Sequence, residues 1–327
     1  MQISGGVTLS GGVNLAPGSG GSSGGGYSFQ GSNYGYSSGG YAGINDGPAV
    51  MADIIEKFPF ASDGDSSDVG DLTVARWLPA GQSSTSSGYA SGGDNFSSKF
   101  NIIEKFSFTS AGNATDVGDL TQAINGAAGQ SSTASGYSSG GTTPTNVNTI
   151  DKFPFASDDN SSDVGDLTQA RQAAAGQSST ASGYSSGGYT GQYVVTIDKF
   201  PFATDTNATD VGDLTVARRL GAGQSSTENG YTSGGGNDPG TGAAVIDKFP
   251  FASNSSATDV GDLYNPTSFG SGQSSIVSGY TTGKGTTQSS GINASKIIQK
   301  FSFASDGDSS DVGNLSWEVQ GAAGQQY

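Results

Sequence analysis

Short apolar patches recur along the chain, separated by longer polar and Gly-rich stretches, and their spacing is regular. In Thr149-Ile150-Asp151-Lys152-Phe153-Pro154-Phe155 a period of two puts both Phe on one face and Ile150 with Lys152 on the other. That predicts a strand with apolar groups on both faces. The same patch, Lys-Phe-(Pro/Ser)-Phe, begins at Lys57, Lys105, Lys152, Lys199, Lys248 and Lys300. A second element, Asp-Val-Gly-(Asp/Asn)-Leu, begins at Asp68, Asp116, Asp163, Asp210, Asp259 and Asp311. A third, Gly-Gln-Ser-Ser, begins at Gly81, Gly129, Gly176, Gly223 and Gly272, with a variant copy at Gly324-Gln325-Gln326-Tyr327. The fourth, Gly-Tyr-x-Ser-Gly-Gly, carries Tyr89, Tyr137, Tyr184 and Tyr231 and a degenerate copy at Tyr280.

The remaining copy of the fourth element, Tyr36-Ser37-Ser38-Gly39-Gly40, precedes the first Lys-Phe patch. Each element therefore occurs six times, while the first and last units are incomplete in complementary ways. An open solenoid gains nothing from that arrangement, whereas a closed ring uses both fragments. A repeat of about 50 residues is near the length of a four-stranded propeller blade. The expected fold is all-β, a six-bladed β-propeller closed by N-terminal strands that complete the last blade. Cut at the motif boundaries, the blades span about 41–93, 94–141, 142–188, 189–235, 236–283 and 284–327 plus 26–40, preceded by a Gly-rich arm at 1–25. Within a unit, Asp163–Thr168 reads as the outer strand, Ala175–Thr180 as a small-residue inner strand and Ser182–Gly188 as its partner. The Pro of the Lys-Phe-Pro-Phe patch cannot donate to a ladder, so that position is expected at a bulge or a strand end.

Composition changes this picture little but bounds the function. Only 32% of residues are hydrophobic and 55 are Gly, which suits small units that bury their faces on one another. The net charge of −16, with 13 Lys and Arg, points away from nucleic acid and from anionic membranes. Cys and His are absent, which removes disulfides, Ser-His-Asp catalysis and the commonest metal ligand. No run reaches the roughly 18 apolar residues of a membrane span. The start Met1-Gln2-Ile3-Ser4-Gly5-Gly6 lacks the features of a secretory signal, so release by lysis is one route to an extracellular position.

The acidic turns Asp63-Gly64-Asp65-Ser66-Ser67-Asp68 and Asp306-Gly307-Asp308-Ser309-Ser310-Asp311 echo a calcium loop. Asp63, Asp65, Asp68, Asp306, Asp308 and Asp311 are thus weak calcium candidates; otherwise no cofactor is expected. Other copies lose the leading carboxylate, and the alternative is a hairpin turn whose side chains bind nearby backbone N–H groups. The six equivalent Lys of the Lys-Phe patch suggest a repeated structural contact, to the Asp of Asp-Val-Gly-Asp. A carboxylate pair could still hydrolyse glycosides, and the non-repeated acids are Asp46, Asp53, Asp94, Glu228, Asp238 and Glu318. Recognition is expected in the unequal loops after the Gly pairs, where Tyr41, Phe96, Tyr189 and Tyr193 offer aromatic faces to sugars or proteins. The arm alternates Ile3, Val7, Leu9, Val13 and Leu15 and could add to a neighbour's sheet edge.

Two resemblances attach to these residues. The order of Arg76, Arg171 or Arg218, a small strand, Gly-Gly and an Ile-x-x-aromatic strand is similar to the kelch-type repeat, although the kelch Trp is missing. The longer pattern Ile-Asp-Lys-Phe-Pro-Phe-Ala…Asp-Val-Gly-Asp-Leu-Thr…Ala-Gly-Gln-Ser-Ser-Thr…Gly-Tyr-Ser-Ser-Gly-Gly resembles structural and tail-associated proteins of tailed, aquatic (cyanophage-like) bacteriophages. So does the start Ile3-Ser4-Gly5-Gly6-Val7-Thr8-Leu9-Ser10-Gly11-Gly12-Val13. The resemblance implies a non-enzymatic virion structural protein made in the host bacterial cytoplasm, a tail-fibre, receptor-binding or accessory component. Its arm would dock on other virion proteins, and its partner would be a host surface glycan or protein. A secreted lectin-like propeller with six equivalent sugar sites is the alternative, and a polysaccharide-degrading propeller the third reading.

Overall fold

The computed structural model describes residues 30–43, 50–236, 243–283 and 296–327. Among these, every regular element is a strand, and 24 of the strands form six antiparallel four-stranded sheets. A representative sheet runs Ala175–Ser178 innermost, then Ser182–Ser186, Thr196–Pro201 and, outermost, Thr209–Asp213. The expected radial order of the elements is therefore observed. The phase is not: each sheet takes its two inner strands from one sequence unit and its two outer strands from the next. The blades are thus 80–119, 128–166, 175–213, 222–267 and 271–314, and the sixth combines 323–326 with 34–71. Connection length does not mark the boundary, since 214–221 between blades spans eight residues and 187–195 within a sheet spans nine; the antiparallel pairing of the inner pair with the next Lys-Phe strand sets it.

Closure follows from the same phase. Ala323–Gln326 is the innermost strand of the sheet that Tyr34–Ser38 continues, in register from Gly35 against Gln326 to Ser38 against Ala323. The two chain ends do share one blade, and hydrogen bonds across that pair fasten the ring. A small sheet of Tyr41–Gly43, Val50–Met51 and Glu318–Gln320 adds to this junction.

Among the described residues the apolar core is divided between the blades. Six clusters lie between neighbouring blades, each built from the Tyr, Ile and Leu of one sheet and Phe of the next, as with Tyr137, Ile150, Leu167 and Phe200. In five of them the Tyr ring stacks on the second Phe of the neighbouring Lys-Phe-x-Phe patch and tilts against the first, while Tyr36 is tilted against both Phe106 and Phe108. Tyr184 lies 4.8 Å from Phe251 and 5.5 Å from Phe249. Apolar groups on both faces of every strand thus serve two interfaces. The first Phe also covers a glycine of its cross-strand partner: an added Cβ at Gly183 would collide with the Phe200 ring. The Pro stands last in its strand, as Pro201 does opposite Ser182, where no ladder donor is needed. The bulge lies elsewhere, at the Val-Gly of the outer strand, between the Ile197–Gly212 and Asp198–Asp210 pairs.

Candidate functional site

Around the axis the frame consumes its own polar groups. Gly81, Gly129, Gly176, Gly223, Gly272 and Gly324 form a ring in which an added Cβ on each would strike the carbonyl of the preceding one. Beside each stands a buried Gln that donates to the Tyr carbonyl of the next blade, Gln177 Nε2 to Tyr231 O at 2.9 Å and Gln325 Nε2 to Tyr89 O at 2.9 Å. These glutamines are tie-rods between blades, buried away from any ligand.

The acids of the third strands are also committed. Asp198 accepts from the Thr168 backbone N–H at 2.9 Å and hydroxyl at 2.7 Å, and pairs with buried Arg171 at 3.1 Å. Arg76–Glu104 and Arg218–Asp247 repeat the pair. Ile124 and Val319 occupy the Arg position opposite Asp151 and Glu56, and there burial pushes both carboxyl groups above their usual values. Gln299 fills the acid position of the blade that has Thr267 in place of Arg, and donates to the Thr267 hydroxyl at 2.8 Å.

The Lys residues do not reach the Asp of Asp-Val-Gly-Asp. Lys105, Lys152, Lys248 and Lys300 bind Asp158, Asp205, Asp306 and Asp63, on the turn of the following blade, at 2.8–3.0 Å. The inter-blade rotation brings that turn, and not the Lys residue's own outer strand, beneath the ammonium group. Lys57 and Lys199 face Ala111 and Asn254 at the equivalent turn position and lie over the Tyr34 and Tyr184 rings.

The acids singled out for calcium are dispersed among separate tasks. Asp65 and Asp308 accept backbone N–H groups of the preceding blade, from Asn314 at 2.9 Å and Asp262 at 2.9 Å. Asp68 and Asp311 accept from Gly70 and Gly313 two residues on, at 3.1 and 3.2 Å. Among the described residues no group of three or more acids gathers to hold a metal ion. Of the non-repeated acids, Asp46 and Asp238 lie outside the described residues. Asp94 is buried, takes the Asn125 side-chain amide, and has its carboxyl pushed up by that burial.

The unequal residues collect at one end of the axis. The innermost strands start there, and the loops that follow the Gly pairs surround them. Three residues before each axial glycine, Leu78, Gly126, Ala173, Leu220, Phe269 and Gly321 all hold φ between +52 and +65°. Four are not glycine, and for Leu and Phe that conformation is costly, about 1–3 kcal/mol each. A closed cycle of backbone hydrogen bonds holds them. Leu78 donates to Gly321, Gly321 to Phe269, Phe269 to Leu220, Leu220 to Ala173, Ala173 to Gly126 and Gly126 to Leu78, at 2.7–3.1 Å. The cycle frames the mouth of an axial cavity of about 120 Å³ walled by Gly and Ala of the inner strands, with Leu78, Leu220 and Phe269 on its rim.

Two aromatic groups flank this mouth. Tyr41 and Phe96, singled out from sequence, come together at 5.2 Å, and Phe96 is 61% exposed with φ +67°. Trp77 joins them at 5.2 Å from Phe96 and stacks on Phe269 at 5.5 Å, passing over Gly321, where a Cβ would collide with its indole nitrogen. Tyr189 and Tyr193 form the second group at 5.4 Å, with the Arg219 guanidinium 4.9 and 5.7 Å from their rings. Sequence reading missed Trp77, Phe269 and Arg219. The available signal was that the two positions before the inner-strand Ala, Pro or Gly vary freely: Trp-Leu, Asn-Gly, Gln-Ala, Arg-Leu, Ser-Phe and Gln-Gly.

The opposite end carries the acidic turns, the inner hairpins and the start of the described chain. Gly31 N–H donates to Ser274 O at 2.8 Å, and Gln30 Nε2 to Ser225 O at 3.0 Å, at the hairpin end of two innermost strands. No protein-family model and no curated protein matches the chain.

Proposed function

We propose that this chain is a non-enzymatic virion structural protein, a propeller displayed on a particle and docked by its N-terminal arm. The observation that carries this reading is polarity. The chain enters the propeller at the hairpin end, at Gln30 and Gly31, while the unequal loops and exposed aromatic rings crowd the other end. A segment anchored at one end leaves the other free to meet a partner. The resemblance of the repeats and of Ile3–Val13 to phage tail-associated proteins supports a virion as the particle. The engagement of the repeated buried acids by Thr and Arg supports binding over catalysis. The test is a chain lacking residues 1–25, expressed during infection beside the full chain. The truncated propeller should keep its thermal melting point and be missing from purified particles. Incorporation at the full-length level would refute the docking role.

A further inference from the structure

We propose that the loop-side mouth of the axial channel is a single binding site for an acidic polysaccharide, with Arg219 receiving a sugar carboxylate. This deepens the display reading above by naming the ligand class and the stoichiometry.

The first ground is the fate of the cations. Arg76, Arg171 and Arg218 are consumed in buried pairs, and Lys105, Lys152, Lys248 and Lys300 in turn pairs. Lys99 and Lys296 donate to the carbonyls of Thr143 and Ser316, and Lys57 and Lys199 lie over the Tyr34 and Tyr184 rings at the acidic-turn end, away from the mouth. Arg219 is the one described arginine without a carboxylate partner, in a chain whose net charge is −16. It is partly buried and lies beside the Tyr189 and Tyr193 rings. A guanidinium beside two phenol rings can take a carboxylate through two parallel hydrogen bonds. The neighbouring phenols supply donors and acceptors for hydroxyl groups.

The second ground is the arc that continues from it. Leu220 follows Arg219 and accepts from Phe269 N–H at 3.1 Å; Phe269 stacks on Trp77, and Trp77 meets the exposed Phe96. Ring faces in a row, beginning at a cation, match a chain of sugar rings bearing acids. A compact apolar ligand would use neither the length nor the charge. The strain at Leu78, Leu220 and Phe269 belongs to the same rim and holds it rigid before binding.

The third ground is symmetry. The repeated Gln amide N–H groups and third-strand carboxylates bond within the frame, which withholds them from six equivalent sugar sites. Trp77 and Arg219 each occur once around the mouth, where the other blades place Asn125, Gln172, Ser268 and Gln320. Binding should therefore be one ligand per chain.

Calorimetry of the full chain with oligogalacturonate, oligoalginate and hyaluronan oligosaccharides, each beside its carboxyl-reduced neutral form, tests this. At least one acidic probe should bind at one per chain and at least tenfold more tightly than its neutral form. Arg219→Ala should abolish that preference, Arg219→Lys should recover part of it, and Phe96→Ser should weaken both forms. Phe96 is exposed, so its variant should melt as the parent does. Binding by none of the probes, six per chain, or an acid preference that survives Arg219→Ala would overturn the proposal. Particle incorporation of Arg219→Ala stays at the parent level whatever the glycan result, so failure here is separable from failure of the display reading.

Discussion

At the residue scale, the repeated glycines divide into those that face another backbone, those covered by a Phe ring and those that face solvent. Gly176 sits where any side chain would meet the Gly129 carbonyl, whereas nothing lies within 4 Å of a Cβ added at Gly64. Gly176→Ala is expected to destabilise the ring by about 1–3 kcal/mol, as overpacking does. Gly64→Ala should be near neutral; comparable losses for both in denaturant titrations would refute the axial-packing account. The same contrast explains what was legible here. The recurrence of Gly-Gln-Ser-Ser marked an inner strand of small residues, but the collision partner is a carbonyl 47 residues earlier, which no local pattern encodes.

At the scale of the element, the third strand carries an acid whose cost depends on the neighbouring blade. Asp151 and Glu56 face Ile124 and Val319, and burial raises their pKa. A carboxyl whose folded pKa exceeds its unfolded one binds more protons when native. Stability therefore falls as pH rises from below the ordinary carboxylate range through the raised folded values. Asp151→Asn keeps an acceptor for Thr121 and removes the ionisation. Its melting point should gain on the parent across that window, and the gain should persist to neutral pH. A difference between the two curves that does not change with pH would show that Asp151 is not the titrating group. The sequence displayed the Asp/Glu/Gln column and the intermittent Arg column separately. Only the inter-blade packing revealed that Gln299 coincides with Thr267, and that the Lys partner is the next blade's turn.

At the scale of the molecule, stability rests on closure. The last strand, Ala323–Gln326, supplies the sixth axial glycine and the sixth tie-rod, Gln325 to Tyr89 O. A chain ending at residue 322 should leave the Tyr34–Ser38 edge unpaired, lower the melting point sharply and self-associate through that edge. Scattering and calorimetry would check this, and a monomer melting within a few degrees of the parent would count against ring closure as the source of stability.

What the sequence determined by itself was the repeat. Motif count, strand period, radial order of the strands and the union of the two ends all follow from residues whose chemistry is local: β-branched and aromatic patches, turn acids and Gly pairs. Tertiary structure alone decided the phase of the blades, the partner of every buried charge and the aromatic mouth. Each of those depends on which residues a rotation of the ring brings together, and Trp77, Phe269 and Arg219 meet their partners across blade boundaries that spacing along the chain does not record.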